Sequence, residues 1–189
     1  MKYLFLGVFL LAHYFGNAQQ NCEYAQNIND TIGTYRSTKD FVMHEKIFGG
    51  TSNYLFFTLI NSNGLPLVGL QYVQKSDAFI KALCLDAQSK IFLQLDNGKV
   101  VTLVHTRDES CGSMVRVPDE SKNTRMISGN FLFLKGSFED LKSSPVNLVR
   151  IKFVTETLDF ALKSSIVSEL TKQTYYPGKL FIDYLKCIE

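Results

Sequence analysis

Few residues in this chain have types and spacings that could do chemistry. Beyond the first eighteen positions there are two histidines, His44 and His105. His44-Glu45 is how a zinc-peptidase helix begins, with a second histidine four residues after the first and the glutamate as base. Position 48 is Phe, so the second ligand is missing and the pattern fails. Asp30-Thr31-Ile32-Gly33 is one residue away from the Asp-Thr-Gly that presents an aspartic-protease carboxylate, and the inserted Ile32 breaks that loop. Arg107-Asp108-Glu109 follows an extended run and reads as a solvated loop. Glu139 and Asp140 are neighbours on a helical turn, so their carboxylates diverge and do not form an acid/base pair. A nucleophile elbow, a phosphate loop and a dinucleotide fingerprint are all absent. The sequence therefore assigns no catalytic, cofactor-binding or metal-binding residue. His105 ends a strand pattern, where a solvated edge position is the simpler reading.

The cysteines are the other reactive group: Cys22, Cys84, Cys111 and Cys187. No two have Cys-x-x-Cys spacing, which argues for structural disulfides over a redox pair or metal site. Four cysteines allow three pairings.

The elements that must position these residues are mostly extended. Thr34–Thr38 and Phe41–Ile47 are short extended pieces. Tyr54–Ile60 is rich in aromatic and β-branched residues, and Leu67–Val73 resumes the pattern after a turn-forming stretch at Asn61–Pro66. The two runs read as a hairpin with a longer loop. Ala78–Leu85 and Asn130–Leu134 are further strand patterns. Ile91–Leu95 and Val100–His105 flank Asn97-Gly98, the dipeptide of a two-residue type I′ turn. That turn would set Leu95 against Val100, Leu93 against Thr102 and Ile91 against Val104. Both faces are then largely apolar, as in a hairpin covered on two sides. Facing residue numbers in this register share one sum, and Cys84 and Cys111 share it too, which makes them a suggestive pair. Cys22 and Cys187 would then tie the two ends, where termini of compact domains often lie. Phe138–Lys142 reads as a helical turn with Ser137 as its cap. Val146–Val154 is a strand whose apolar side is Val149, Ile151 and Phe153. The period then changes: Leu162–Thr171 and Pro177–Ile188 read as helices, with Leu180, Phe181, Tyr184, Leu185 and Ile188 forming one apolar stripe that packs on the sheet.

The first eighteen residues read as a cleavable signal peptide. Lys2 precedes the apolar run Tyr3–Ala12, and Gly16-Asn17-Ala18 supplies small residues before Gln19. Gln20-Asn21 before Cys22 argues against lipid attachment. The rest, residues 19–189, reads as a single β-rich globular domain. The full chain is 46% hydrophobic and 20% charged, with 15 Phe, 9 Tyr and no Trp. The net charge is +2 and drops by one with Lys2, which gives no electrostatic reason to expect nucleic acid. No stretch after the signal is long enough to span a membrane.

The layout resembles the small exported proteins common in Bacteroidetes-type bacteria. The residues that carry this are the Gly-Asn-Ala-Gln junction at 16–19, Asn27, Asp30 and Gly33 after Cys22, the Leu-Asp-Asn-Gly-Lys-Val-Val-Thr-Leu hairpin at 95–103, and the Leu185-Lys186-Cys187-Ile188 ending. The likeness spans most of the chain after the signal. It implies no activity and transfers no functional residue.

These readings combine into an α+β fold: a mainly antiparallel β-sheet, sandwich-like or curved, with a C-terminal helix packed on it. They imply an exported, soluble protein of the periplasm or the cell exterior, without a cofactor. The functional expectation is a non-enzymatic binding or structural module with a protein or glycan partner. The alternative is a hydrolase whose site is assembled from distant residues around His105 or His44.

Overall fold

The computed structural model describes residues 22–106, 109–115 and 121–189. The signal segment 1–18, and Arg107 and Asp108 of the charged cluster, lie outside the described residues. The first five strands are β1 (Tyr24–Asn29), β2 (Thr34–Thr38), β3 (Phe41–Phe48), β4 (Thr51–Ser62) and β5 (Leu65–Ser76). They are followed by β6 (Cys84–Leu85), β7 (Lys90–Leu95), β8 (Val100–His105), β9 (Ser110–Cys111), β10 (Ser113–Val115) and β11 (Asn123–Phe133). Helix α1 (Ser137–Ser143) leads to β12 (Val146–Lys152), β13 (Thr157–Ala161), β14 (Ile166–Val167) and β15 (Thr174–Tyr175). The described chain ends in α2 (Leu180–Tyr184), flanked by the 3-10 turns Pro177–Lys179 and Leu185–Cys187.

The architecture is mainly antiparallel sheet with a short C-terminal helix. Among the described residues one eleven-stranded sheet runs β1-β2-β4-β5-β11-β8-β7-β12-β13, with β3 also on β4 and β10 also on β11. One face is the core. Leu55, Phe57 and Leu59 of β4 lie beside Tyr72, Leu70 and Val68 of β5, all buried. Phe181 of α2 packs its ring against Phe57 and Phe133. Leu180, Leu185 and Ile188 are buried in the same cluster, as the apolar stripe predicts. Phe160 of β13 sets its ring against Tyr72 of β5 and His44 of β3. Val149, Ile151 and Phe153 form the buried side of the β12 segment, as read from the sequence.

The two Asn-Gly turns exchange the roles the sequence suggests for them. Asn63 and Gly64 both have positive φ, 53° and 80°, and Ser62 pairs with Leu65. This is the two-residue type I′ loop. It joins β4 to β5 where a longer loop is expected from composition. At Asn97-Gly98 only Gly98 has positive φ, 84°. Gly98 N–H donates to the Leu95 carbonyl and Leu95 N–H to the Lys99 carbonyl, which makes a three-residue loop with a bulge. The register is one residue off the expected one: Leu93 faces Val101, Ile91 faces Leu103 and Phe92 faces Thr102. The reason is packing. In this register Ile91, Leu93 and Leu95 share the buried side with Val101 and Leu103, while Gln94 and Val100 face solvent. A slip of one residue would turn half of these to the wrong face. The hairpin is therefore one-sided, not covered on both faces.

Other expectations also change. Leu162–Thr171 is not helical. Ile166–Val167 pairs with Thr174–Tyr175, and the turn between them has Lys172 at φ 59°. Ile166 and Tyr175 are buried against Val42, Tyr54 and Phe56, so tertiary packing overrides the helical spacing. Of Ala78–Leu85 only Cys84–Leu85 is a strand. The rest is irregular chain whose carbonyls are held by Asn123 and by Arg125 Nε. Ser137 is not a cap. The cap position is Gly136, and the Ser137 hydroxyl donates to the Leu134 carbonyl at 2.6 Å.

Cys84 is bonded to Cys111 and Cys22 to Cys187. Cys84 and Cys111 face each other in a separate two-stranded ladder, offset by one from the β7–β8 register. Their pairing is therefore not a continuation of that hairpin. The second bridge spans 165 residues, and Tyr24 Oη donates to the Cys187 carbonyl beside it. Asn61 Nδ2 donates to the Ile188 carbonyl at 2.8 Å, anchoring the end of the chain to β4.

Candidate functional site

His105 is buried, because it shares the strand face of Val101 and Leu103, which packs into the core beside Ile91, Leu93 and Leu95. Its Nδ1 lies 3.0 Å from the Asp86 carbonyl, and its ring packs on Phe131. Donation from Nδ1 to that carbonyl leaves Nε2 as the acceptor. The Asp86 carboxylate does not serve the imidazole. It accepts from the Ser89 hydroxyl and from the Gln88 N–H, and these bonds draw its pKa below the usual range. A shallow depression beside His105 is lined by Thr106, Ser110, Ser128 and Asn130. The Ser110 hydroxyl there donates to the Ser128 carbonyl.

His44 sits elsewhere, half-buried on β3 with its ring edge against Phe160 at 5.3 Å. Burial pushes its pKa down. A hydrogen bond to the Ala161 backbone opposes this, and the charges of Lys163 and Lys46 add to it. The two histidines are thus not brought together around one set of partners. Among the described residues no group of three or more His, Cys, Asp or Glu is placed to hold a metal.

The face of the sheet opposite the core offers a different kind of surface. Thr58, Gly69 and Asn130 lie in one row across β4, β5 and β11, with Phe56, Gln71 and Ser128 in the next. Ile60 continues the face to Ser37 of β2, which pairs with Gln26 of β1. All of these except Phe56, which is buried, line a trough of about 400 Å³ that also includes Tyr35 and Asp40. Gly69 is its floor. A methyl group there would meet Ile60 Cδ1 at 3.1 Å and Asn130 Oδ1 at 3.6 Å. Glycine inside a strand often marks close approach by another group. Asp40 accepts the Thr58 hydroxyl at 2.5 Å. At the Asp40 end a second cavity of about 330 Å³ opens between β3 and the C-terminal segment. Its lining includes Phe41, Tyr175, Tyr184, Glu23 and Lys39, and the Phe41 ring stands edge-on to both tyrosines.

Comparison with family models, curated proteins and solved structures finds no match. The reading of this surface rests on its own chemistry.

Sequence reasoning misses the trough. Its members come from five strands, and their alternation with core residues is visible only once the pairing is known. The available signal is the run Leu67–Val73, where Gly69 and Gln71 interrupt an apolar strand on one side.

Proposed function

We propose that this chain is an exported, non-enzymatic binding module whose ligand seat is the trough across β1, β2, β4, β5 and β11. The observation that carries the reading is the state of the lining. Among the described residues, the side chains of Gln26, Tyr35, Ser37, Ser128 and Asn130 take part in no hydrogen bond within the protein. They form a set of unspent donors and acceptors on a rigid sheet, as a recognition surface requires. Export is supported by the two disulfides, which persist in oxidising compartments. The described residues contain no helix long and apolar enough to cross a membrane. The reading takes the sheet as curved, which the approach of Phe160 to His44 and Tyr72 supports.

The hydrolase alternative rests on His105 at the edge of a depression bearing the Ser110 and Ser128 hydroxyls. One experiment separates the two. The protein purified after export and its Gly69→Val variant are applied to an array of peptides and oligosaccharides, with p-nitrophenyl acetate hydrolysis measured in parallel. Array binding that disappears in the folded variant is the expected result. Ester turnover abolished by His105→Ala, with a blank array, would replace the binding reading with the hydrolase. Peptide mapping without reductant on the same material checks for Gln19 at the N-terminus.

A further inference from the structure

We infer that the ligand of the trough is a neutral oligosaccharide laid across the strands. This rests on the trough being the binding seat. Three features point to the class. First, the lining is almost uncharged. Among the described residues Asp40 is its single carboxylate, and the other polar groups are amides and hydroxyls, among them Gln26, Ser37, Thr58, Gln71, Ser128 and Asn130. Amides and hydroxyls both donate and accept, which matches a ring of hydroxyl groups that does the same. An anionic chain would meet no cation there.

Second, peptide capture by strand addition is closed over β4 and β5, the middle of the trough; the free edge of the sheet lies at its β1 end. β5 has β4 on one side and β11 on the other, and β4 has β5 on one side with β2 and β3 on the other. Their backbone donors and acceptors are spent in the ladders. Over that middle only side chains can hold the ligand, since strand addition needs a free edge. Third, the trough is long and shallow. It crosses five neighbouring strands, about 20 Å at the usual spacing. That length suits several linked rings, not one. Tyr35, half-exposed within it, offers an aromatic face to the C–H side of a sugar, and Gly69 lets a ring settle between Thr58 and Asn130.

The test is isothermal titration of the exported protein with neutral tetra- to hexasaccharides of β-1,4-glucose, β-1,4-xylose and α-1,4-glucose, with oligogalacturonate as the anionic control. At least one neutral series should bind. Asn130→Ala and Gln71→Ala should each weaken it by about tenfold, and Gly69→Val should abolish it. No binding by any neutral series, or tighter binding of the anionic control, overturns the ligand class while leaving the seat open to a peptide on the array. Neutral binding that survives all three substitutions overturns the seat itself. Circular dichroism checks each variant. Should Gly69→Val fail to fold, Asn130→Ala and Gln71→Ala decide the outcome, since both side chains reach the surface.

Discussion

Leu93 stands opposite Val101 across the β7–β8 hairpin, and the turn that allows this bends at Gly98 alone. The two Asn-Gly pairs should therefore answer mutation differently. Asn63 has a left-handed backbone, and its Oδ1 accepts the Thr34 N–H at 2.8 Å. Asn63→Ala should cost about 2 kcal/mol, combining backbone strain with a lost hydrogen bond. Asn97 lacks the left-handed backbone, and Asn97→Ala should cost under about 1 kcal/mol. Gly98→Ala, at φ 84°, should cost about 1–2 kcal/mol. Urea denaturation of the three variants measures all three values. Equal costs at Asn63 and Asn97 would contradict the two turn types.

The two strand glycines make a second contrast. A methyl group at Gly129 would lie 2.6 Å from Leu85 Cδ1 and 2.9 Å from His105 Nε2. Both neighbours are buried and cannot retreat, so Gly129→Ala should cost about 1–3 kcal/mol through overpacking. Gly69→Ala opens onto the trough and should change stability by less than about 1 kcal/mol. Thermal melts of the two variants give the comparison.

His44 predicts how stability varies with pH. Its folded pKa lies below the unfolded value of about 6.5, chiefly because the ring is buried. The unfolded chain thus takes up the proton first. The contribution is full above that unfolded value and is lost as pH falls through the folded one. Melting temperature should decline between about pH 7 and pH 5, and His44→Gln should flatten that part of the profile. A decline of equal size in His44→Gln would assign it to other groups.

The disulfides should differ in weight. In the loop-entropy model, cutting Cys22–Cys187, which closes 165 residues, costs more than cutting Cys84–Cys111, which closes 27. Each should lie near 2–4 kcal/mol, with the Cys22→Ala/Cys187→Ala pair the larger. Denaturation of the two double variants, without reductant, ranks them.

The strands were legible where side-chain type and alternation agree. Tyr54–Ile60, Leu67–Val73 and Val146–Val154 carry aromatic and β-branched residues; the first two lie within β4 and β5, and β12 covers the third as far as Lys152. The C-terminal stripe was legible for the same reason. What failed was pairing. The dipeptide Asn-Gly does not fix its own loop length. At 97–98 the need to bury Ile91, Leu93 and Leu95 beside Val101 and Leu103 selects the bulged turn. His105 is hidden with them, since it lies on the same strand face as Val101 and Leu103. Leu162–Thr171 misled because its spacing is helical while Ile166 answers to Val42, Tyr54 and Phe56. The trough was illegible because it is made of the residues left over on the opposite face of five strands.

The Cys22–Cys187 bridge also changes how the domain meets mechanical force. A pull applied between residues 22 and 187 travels through two side chains and one sulfur–sulfur bond, in parallel with everything folded between them. The short, stiff bridge bears most of the load and shields the sheet until that bond is reduced. A tether attached at either end could drag on a bound ligand without loosening the strands that hold it.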